Sequence, residues 1–283
     1  MRYRKSFCVE PGKRFSLKRV DPDYSSDHAG AKKEMERNRQ QLAELQSLLW
    51  AEKKHSLLIV LQAMDGGGKD GTVDHVLSAF NPQGATVTGF KAPTAEEAAH
   101  DFLWRVHPHA PARGYIAIFN RSHYEDVLAP RVHGTVSRHI WKERYQRIRD
   151  FEQLLADNGT RVLKFFLYIS REEQLERFAA RLKDKSRNWK ISESDYAERP
   201  HWDDYIRAYE DAIVTTSTGA APWFVIPSNH KWFRNLAVSQ IVADEMEEMK
   251  MSYPAPQVDP RKVRREYHHA AGEEKSEAAH KRK

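Results

Sequence analysis

Leu58-Ile59-Val60-Leu61-Gln62-Ala63-Met64-Asp65-Gly66-Gly67-Gly68-Lys69-Asp70-Gly71-Thr72 decides how this chain is read. An apolar run of strand type passes into a glycine-rich turn that ends on a lysine, the order of residues from which a phosphate cradle is built. Glycines let the backbone curl so that successive N–H groups face one anion. The helix that follows adds its positive N-terminal end, and Lys69 is placed to reach a terminal phosphate. The match to G-x-x-x-x-G-K-[ST] is inexact. Ala63 stands at the first glycine position, Asp70 replaces the hydroxyl residue that ordinarily holds magnesium, and Thr72 comes two residues late. Gly66, Gly67, Gly68, Lys69, Asp70, Gly71 and Thr72 are expected to surround phosphate groups. Asp65, a hard oxygen donor inside the loop, is the candidate for holding magnesium.

Outward from this loop, strand and helix patterns alternate. Residues 56–62 read as a buried parallel strand, and a helix is expected from the loop to about residue 80. Further strands are expected at 85–90, 115–119, 161–169 and 222–226. Helices are expected at 137–157, 172–182, 202–217 and 231–250, and Thr94 with Glu97 forms a capping-box start for one reaching about residue 106. Five strands alternating with helices predict an α/β fold with a doubly wound parallel sheet and ligands beyond the strand C-termini. Before it, residues 1–31 read as an extended arm and 32–52 as a helix with Met35, Leu42, Leu45 and Leu49 on one stripe. Residues 251–283, rich in Arg and Lys, read as a poorly ordered basic tail.

A second polar cluster follows the strand near residue 118. In Phe119-Asn120-Arg121-Ser122-His123-Tyr124-Glu125-Asp126, Arg121 is suited to forking onto phosphate oxygens and Asp126 to joining Asp65 around a metal. His123 is not needed as a base, because a phosphate acceptor is already anionic. A third stretch, 177–195, carries six cations, Arg181, Arg187 and Lys190 among them, and few apolar residues. That composition suits a mobile lid over phosphates, at about 181–200. Lys91, Arg105, Arg113, Arg131, Lys231 and Arg234 extend the cationic character toward a track longer than one nucleotide needs.

The 283 residues carry a formal charge of +6, which points to an anionic partner. No apolar run approaches the roughly 18 residues that span a bilayer, and the N-terminus lacks a signal-type apolar segment, so a soluble cytoplasmic protein is expected. Cys8, the single cysteine, excludes an internal disulfide framework and a multi-cysteine zinc site.

Taken together, the loop at 64–72, the segment 119–126, Asn188-Trp189-Lys190-Ile191-Ser192 and Trp202-Asp203-Asp204-Tyr205 resemble the polyphosphate kinase 2 family, from about residue 32 to 248. The resemblance implies a P-loop kinase-like fold similar to thymidylate kinase. It also implies phosphoryl transfer between inorganic polyphosphate and adenine or guanine nucleotides, assisted by Mg2+ or Mn2+, in a homo-oligomer (dimer or tetramer). Asp65 and Asp126 would organise the metal, Lys69 and Arg121 would bind phosphate, and Arg181 and Arg187 would close from the lid. The 119–126 segment looks most like the subgroup that accepts both AMP and ADP. An ATP-dependent nucleoside monophosphate kinase and a non-catalytic polyanion-binding protein are the competing readings, and neither membrane nor specific nucleic acid is expected as a partner.

Overall fold

Strand β2 (Ser56–Gln62) is buried at every residue and lies in the middle of the sheet. Its neighbours explain why it reads as unbroken apolar sequence: helices cover both faces, so alternation has no solvent side to report. The computed structural model describes residues 2–26, 29–186, 188–190 and 192–280, with backbone alone at 2, 190, 194 and 276–280. The chain forms two compact units, Met1–Met251 and Ser252–Lys283.

In the first unit the arm contributes helix α1 (Arg2–Phe7) and strand β1 (Cys8–Val9), followed by α2 (Ala31–Glu52). After β2 come α3 (Lys69–His75), β3 (Ala85–Gly89), α4 (Ala95–Ala98), β4 (Ile116–Asn120), α5 (Glu125–Val132) and α6 (Arg138–Asp157). The remainder is β5 (Thr160–Tyr168), α7 (Arg171–Lys183), α8 (Glu193–Ala197), α9 (Trp202–Thr216), β6 (Trp223–Pro227) and α10 (Lys231–Glu248). The sheet order is β1-β6-β5-β2-β4-β3, parallel throughout except for β1 against β6. From β2 the chain winds one way through β3 and β4 and then the other way through β5 and β6. The reversal leaves a crevice at the C-terminal end of β2, flanked by β4 and β5, where such sheets bind ligands.

Side chains of β2 point alternately into two cores. Leu57, Ile59 and Leu61 pack with Leu42 and Leu49 of α2 and with Leu236, Ile241 and Met246 of α10. Leu58 and Val60 pack with Val127, Ile148, Phe151 and Ile213 from α5, α6 and α9. A fully buried leucine or isoleucine contributes about 1.5–3 kcal/mol, so both layers are firmly held to the strand that carries the glycine loop.

Four expectations are corrected. The sheet has six strands rather than five, because Cys8-Val9 pairs with Trp223 and Phe224 and covers the edge of β6. The arm is accordingly not wholly extended. The expected helix at 94–106 stops at Ala98: the capping box forms, but the Asp101 carboxylate accepts from the Leu103 N–H at 3.0 Å and turns the chain. The helix after the loop ends at His75 and continues only as a short turn at Leu77–Ala79. Helix α5 was not anticipated, because Pro130 lies inside it. Pro130 has no N–H for the carbonyl of Asp126, and the Arg144 guanidinium donates to that oxygen instead, at 2.6 Å.

The second unit holds helix α11 (Pro260–His280) where an irregular tail was expected. Alanine, glutamate, lysine and arginine, all good helix formers, dominate it.

Candidate active site

Residues 63–68 leave the end of β2 at the crevice and deliver Lys69 as the first residue of α3. Gly66 and Gly68 have φ of +79° and +103°, which side-chain-bearing residues avoid. At Gly67 the constraint is space: a Cβ would lie 2.5 Å from the Ala63 Cβ and 2.8 Å from the Met64 carbonyl oxygen. At Gly68 it would fall 1.8 Å from Arg234 Nη1. Gly68→Ala therefore has to strain the backbone, about 1–3 kcal/mol, and expel a buried guanidinium. It is expected to lower both the melting temperature and turnover, the latter at least about tenfold, read by thermal unfolding and steady-state kinetics.

Lys69 is 8% exposed, and its Nζ donates to the Ala63 carbonyl at 3.0 Å. Burial lowers its pKa, with Asp65 opposing. Arg121 adopts φ +63°, its N–H donates to Leu61 O at 3.0 Å, and its Nη2 reaches Asp65 Oδ1 at 2.8 Å. Burial works against the charge of Arg121, but Glu125 and Asp65 outweigh it and raise its pKa. Asp65, Lys69 and Arg121 are thus brought together at one rim, as the sequence predicts. Asp70 lies beside them, its Oδ1 accepting from Asn120 Nδ2 at 2.9 Å.

Asp126 is placed differently. Its carboxylate, 13% exposed, pairs with buried Arg105 at 2.9 Å, and Arg105 Nη1 donates to the Lys91 carbonyl at 2.7 Å. It is not among the residues lining the cleft, whereas Asp65 is. The adjoining Glu125 accepts from Gln62 Nε2 at 3.0 Å and, like Asp65, acts through its field on both Lys69 and Arg121. Thr72 is fully buried and donates to Gly68 O at 3.2 Å, which makes it part of the helix start rather than of the phosphate surface.

The cleft is about 1460 Å³. Gly66, Gly67, Gly68, Lys69, Asp70, Gly71, Lys91, Arg121 and Arg181 line it as expected. Arg181 Nη1 lies 3.8 Å from Asp195 Oδ2. Arg187 and the side chain of Lys190 lie outside the described residues. Of the wider set of cations, Lys231 and Arg234 line the cleft, while Arg131 pairs with Asp211 at 2.7 Å and covers Trp141.

Arg177 and Arg234 do more here than the sequence suggested. Arg177 donates to Gly66 O at 2.9 Å and to Asn229 O at 3.1 Å, and its Nε pairs with Glu173 at 2.6 Å. Arg234 is 2% exposed and bonds the Asn235 Oδ1; among the described residues no carboxylate pairs with it. Burial and neighbouring Arg177 push its pKa down to about 9, which leaves it cationic at neutral pH.

Behind the rim, His123 and Tyr124 enter a fully buried network. Lys164 Nζ reaches Glu152 Oε2 at 2.6 Å, Tyr124 Oη at 3.0 Å and Thr216 O at 2.8 Å. Tyr124 Oη donates to Glu152 Oε1 at 2.9 Å, and His123 Nε2 lies 3.2 Å from the same oxygen. This network anchors the segment that carries Arg121, and His123 has a structural role with no exposure to the cleft.

Among the described residues, no group of three or more His, Cys, Asp or Glu could hold a metal by itself. A cleft-facing carboxylate such as Asp65 fits Mg2+, which takes one or two carboxylates and completes its shell with substrate phosphates and water. Among the described residues no helix is long and apolar enough to cross a membrane.

A bare backbone turn, a lysine held at its end and guanidinium groups on either side are suited to phosphate oxygens, and they stand at the switch point of the sheet. This is the architecture of the P-loop kinases. Residues 25–254 match the family described as Polyphosphate kinase 2 (PPK2), and the chain belongs to that family. It is 48% identical over 263 residues to an AMP/ADP-polyphosphate phosphotransferase of Meiothermus ruber, covering 92% of this chain and 98% of that one. An ADP-polyphosphate phosphotransferase of Rhodopseudomonas palustris is 44% identical, covering 88% and 92%. The crystal structure of Polyphosphate Kinase 2 from Arthrobacter aurescens superposes with a TM-score of 0.89 at 44% identity, covering 93% and 95%.

Proposed function

We propose that this chain moves the terminal phosphoryl group of inorganic polyphosphate onto AMP and ADP, with GMP and GDP as further acceptors, giving diphosphates and then triphosphates reversibly. The observation that carries the reading is the convergence of Asp65, Lys69 and Arg121 in a cleft whose walls also include Lys91, Arg177, Arg181, Lys231 and Arg234. A single nucleotide does not need so many cations; a chain of phosphates does. The Meiothermus ruber relative, whose name includes both AMP and ADP, supports the choice of acceptors.

Chemically, an anionic oxygen of the acceptor phosphate attacks the terminal phosphorus in line. One bridging P–O bond breaks as the new one forms, and the shortened polyphosphate leaves as an anion, so no base is required. The glycine loop and Lys69 hold the transferred group, and Arg121 spans from Asp65 toward the equatorial oxygens. Mg2+ (or Mn2+) held by Asp65 and the substrate phosphates would supply charge neutralisation. Asp126 acts through Arg105, fixing the strand end that carries Lys91. Arg181, Arg187 and Lys190 belong to a lid at about 181–200 that closes on the substrates. Homo-oligomeric assembly rests on the motif resemblance alone, and cytoplasmic location on the composition of the sequence.

Incubating the pure protein with polyphosphate, Mg2+ and either AMP or ADP tests this. Product from both acceptors is expected. Product from ADP alone would refute the two-step assignment. Indifference to polyphosphate with activity on ATP and AMP would instead identify a nucleoside monophosphate kinase.

A further inference from the structure

Successive carbonyls along the glycine loop each have a donor of their own. Ala63 O accepts from Lys69 Nζ at 3.0 Å and from Tyr209 Oη at 3.2 Å, and Met64 O accepts from the Gly67 N–H at 2.9 Å. Asp65 O accepts from Gln174 Nε2 at 2.8 Å, and Gly66 O from Arg177 Nη1 at 2.9 Å. Gln174 and Arg177 stand three residues apart on α7, so one face of that helix holds both carbonyls.

Met64 to Gly67 is a β-turn closed by the Gly67 bond. Its third residue, Gly66, has φ +79°, while Asp65 is not among the non-glycine residues with positive φ, which makes the turn type II. Type I closes the same ends with the same bond and differs by rotating the central peptide, Asp65-Gly66, through roughly half a turn. Glycine in the third position accepts either form. What the Asp65 carbonyl meets therefore separates the two. In the form present it meets Gln174, and because the C=O and N–H of a trans peptide point opposite ways, the Gly66 N–H is turned away from α7.

Gln174 is 3% exposed, and its amide has one orientation that satisfies both ends: Oε1 accepts from Arg199 Nη1 at 2.6 Å, which leaves Nε2 for Asp65. Arg199 is itself fixed, donating to Arg171 O at 3.2 Å while Arg171 donates to Arg199 O at 3.4 Å. A held cation orients the amide, and the amide orients the peptide.

We infer that Gln174, oriented by Arg199, is a positioning residue that holds the Asp65-Gly66 peptide in the turn form presenting an N–H rather than a carbonyl to phosphate. The inference rests on the loop being a phosphate cradle, as in the reading above, whichever compound donates the phosphate. Without the amide both forms are populated and phosphate binds one of them, so apparent affinity falls with the population of that form. Bound phosphate draws the turn back, and the rate at saturation is kept.

Gln174→Met keeps the length of the side chain and removes both of its bonds. Its KM for polyphosphate is expected to rise about tenfold while kcat stays within about twofold. Affinity for tripolyphosphate, read by calorimetry without turnover, should fall by the same factor. Gln174→Glu should be no better than Gln174→Met, because it keeps the contact with Arg199 but sets an acceptor against Asp65 O. A crystal structure of ligand-free Gln174→Met should show the type I turn. Unchanged tripolyphosphate affinity in Gln174→Met overturns the inference, as does a turn still of type II in that crystal. Near-normal behaviour of Gln174→Glu overturns it too, leaving Gln174 with packing and the anchoring of Arg199 alone. Transfer from ATP but not from polyphosphate by the unaltered protein would refute the function reading separately. The ratio of ATP affinities in the two proteins would then decide the role of Gln174, with equality refuting it.

Discussion

Lys69→Ala is expected to lower kcat for transfer from polyphosphate to ADP by about two to three orders of magnitude, or about 2.7–4 kcal/mol of transition-state stabilisation. The amine is buried at the loop, 3.0 Å from the Ala63 carbonyl, and its charge is maintained against desolvation largely by Asp65. Alanine removes that preorganised charge while also removing a costly buried cation, so thermal unfolding should change little as turnover collapses. The pH dependence follows from the same burial. Because the free-enzyme pKa is lowered, kcat/KM should lose its alkaline limb below the range of an ordinary lysine, the neutral amine being unable to neutralise phosphate. A bound phosphate favours the ammonium and moves the limb upward in kcat. Near-normal turnover of the variant would remove Lys69 from the chemistry.

The second large effect is on stability. Lys164→Met strands Glu152 as a buried carboxylate and is expected to cost about 3–5 kcal/mol, read as a lower urea midpoint. Burial alone would raise the pKa of Glu152, but Lys164 and His123 outweigh it and hold it low. The carboxylate therefore contributes stability above the unfolded-state carboxylate pKa, and that contribution is lost as pH falls through the lower folded-state value. Without Lys164 the acid limb of stability should move to higher pH. Lys164→Met combined with Glu152→Gln should recover much of the loss, since an uncharged amide still serves Tyr124 and His123. Simple additivity of the two single changes would show that the pair is not coupled.

What the sequence made legible was local. The glycine loop, its strand and Lys69 are neighbours in the chain, and β2 and β4 are nearly unbroken apolar runs whose burial on both faces is written into composition, while β5 is apolar but for Thr160, Arg161 and Lys164. Strand β1 was missed because two residues carry no periodicity, and α5 because Pro130 reads as a breaker unless Arg144, distant in sequence, takes the freed carbonyl. The partner of Asp126 was equally hidden. Arg105 looked like one more surface cation, and only the tertiary fold buries it against the first turn of α5. Arg177 and Arg234 were read only as part of a cationic stretch and track, for a related reason: long cationic side chains are usually solvated, and their burial beside the glycines depends on how α7 and α10 cross the crevice.

Arg177 has a mechanical consequence. By bonding Gly66 O on one side and Asn229 O on the other, it pins the middle of α7 to the two loops that flank the crevice. The lid closure proposed above would therefore pivot beyond that rivet, in the last turn of α7. It would leave the cradle unmoved, and the entropy of ordering would fall on the cover alone.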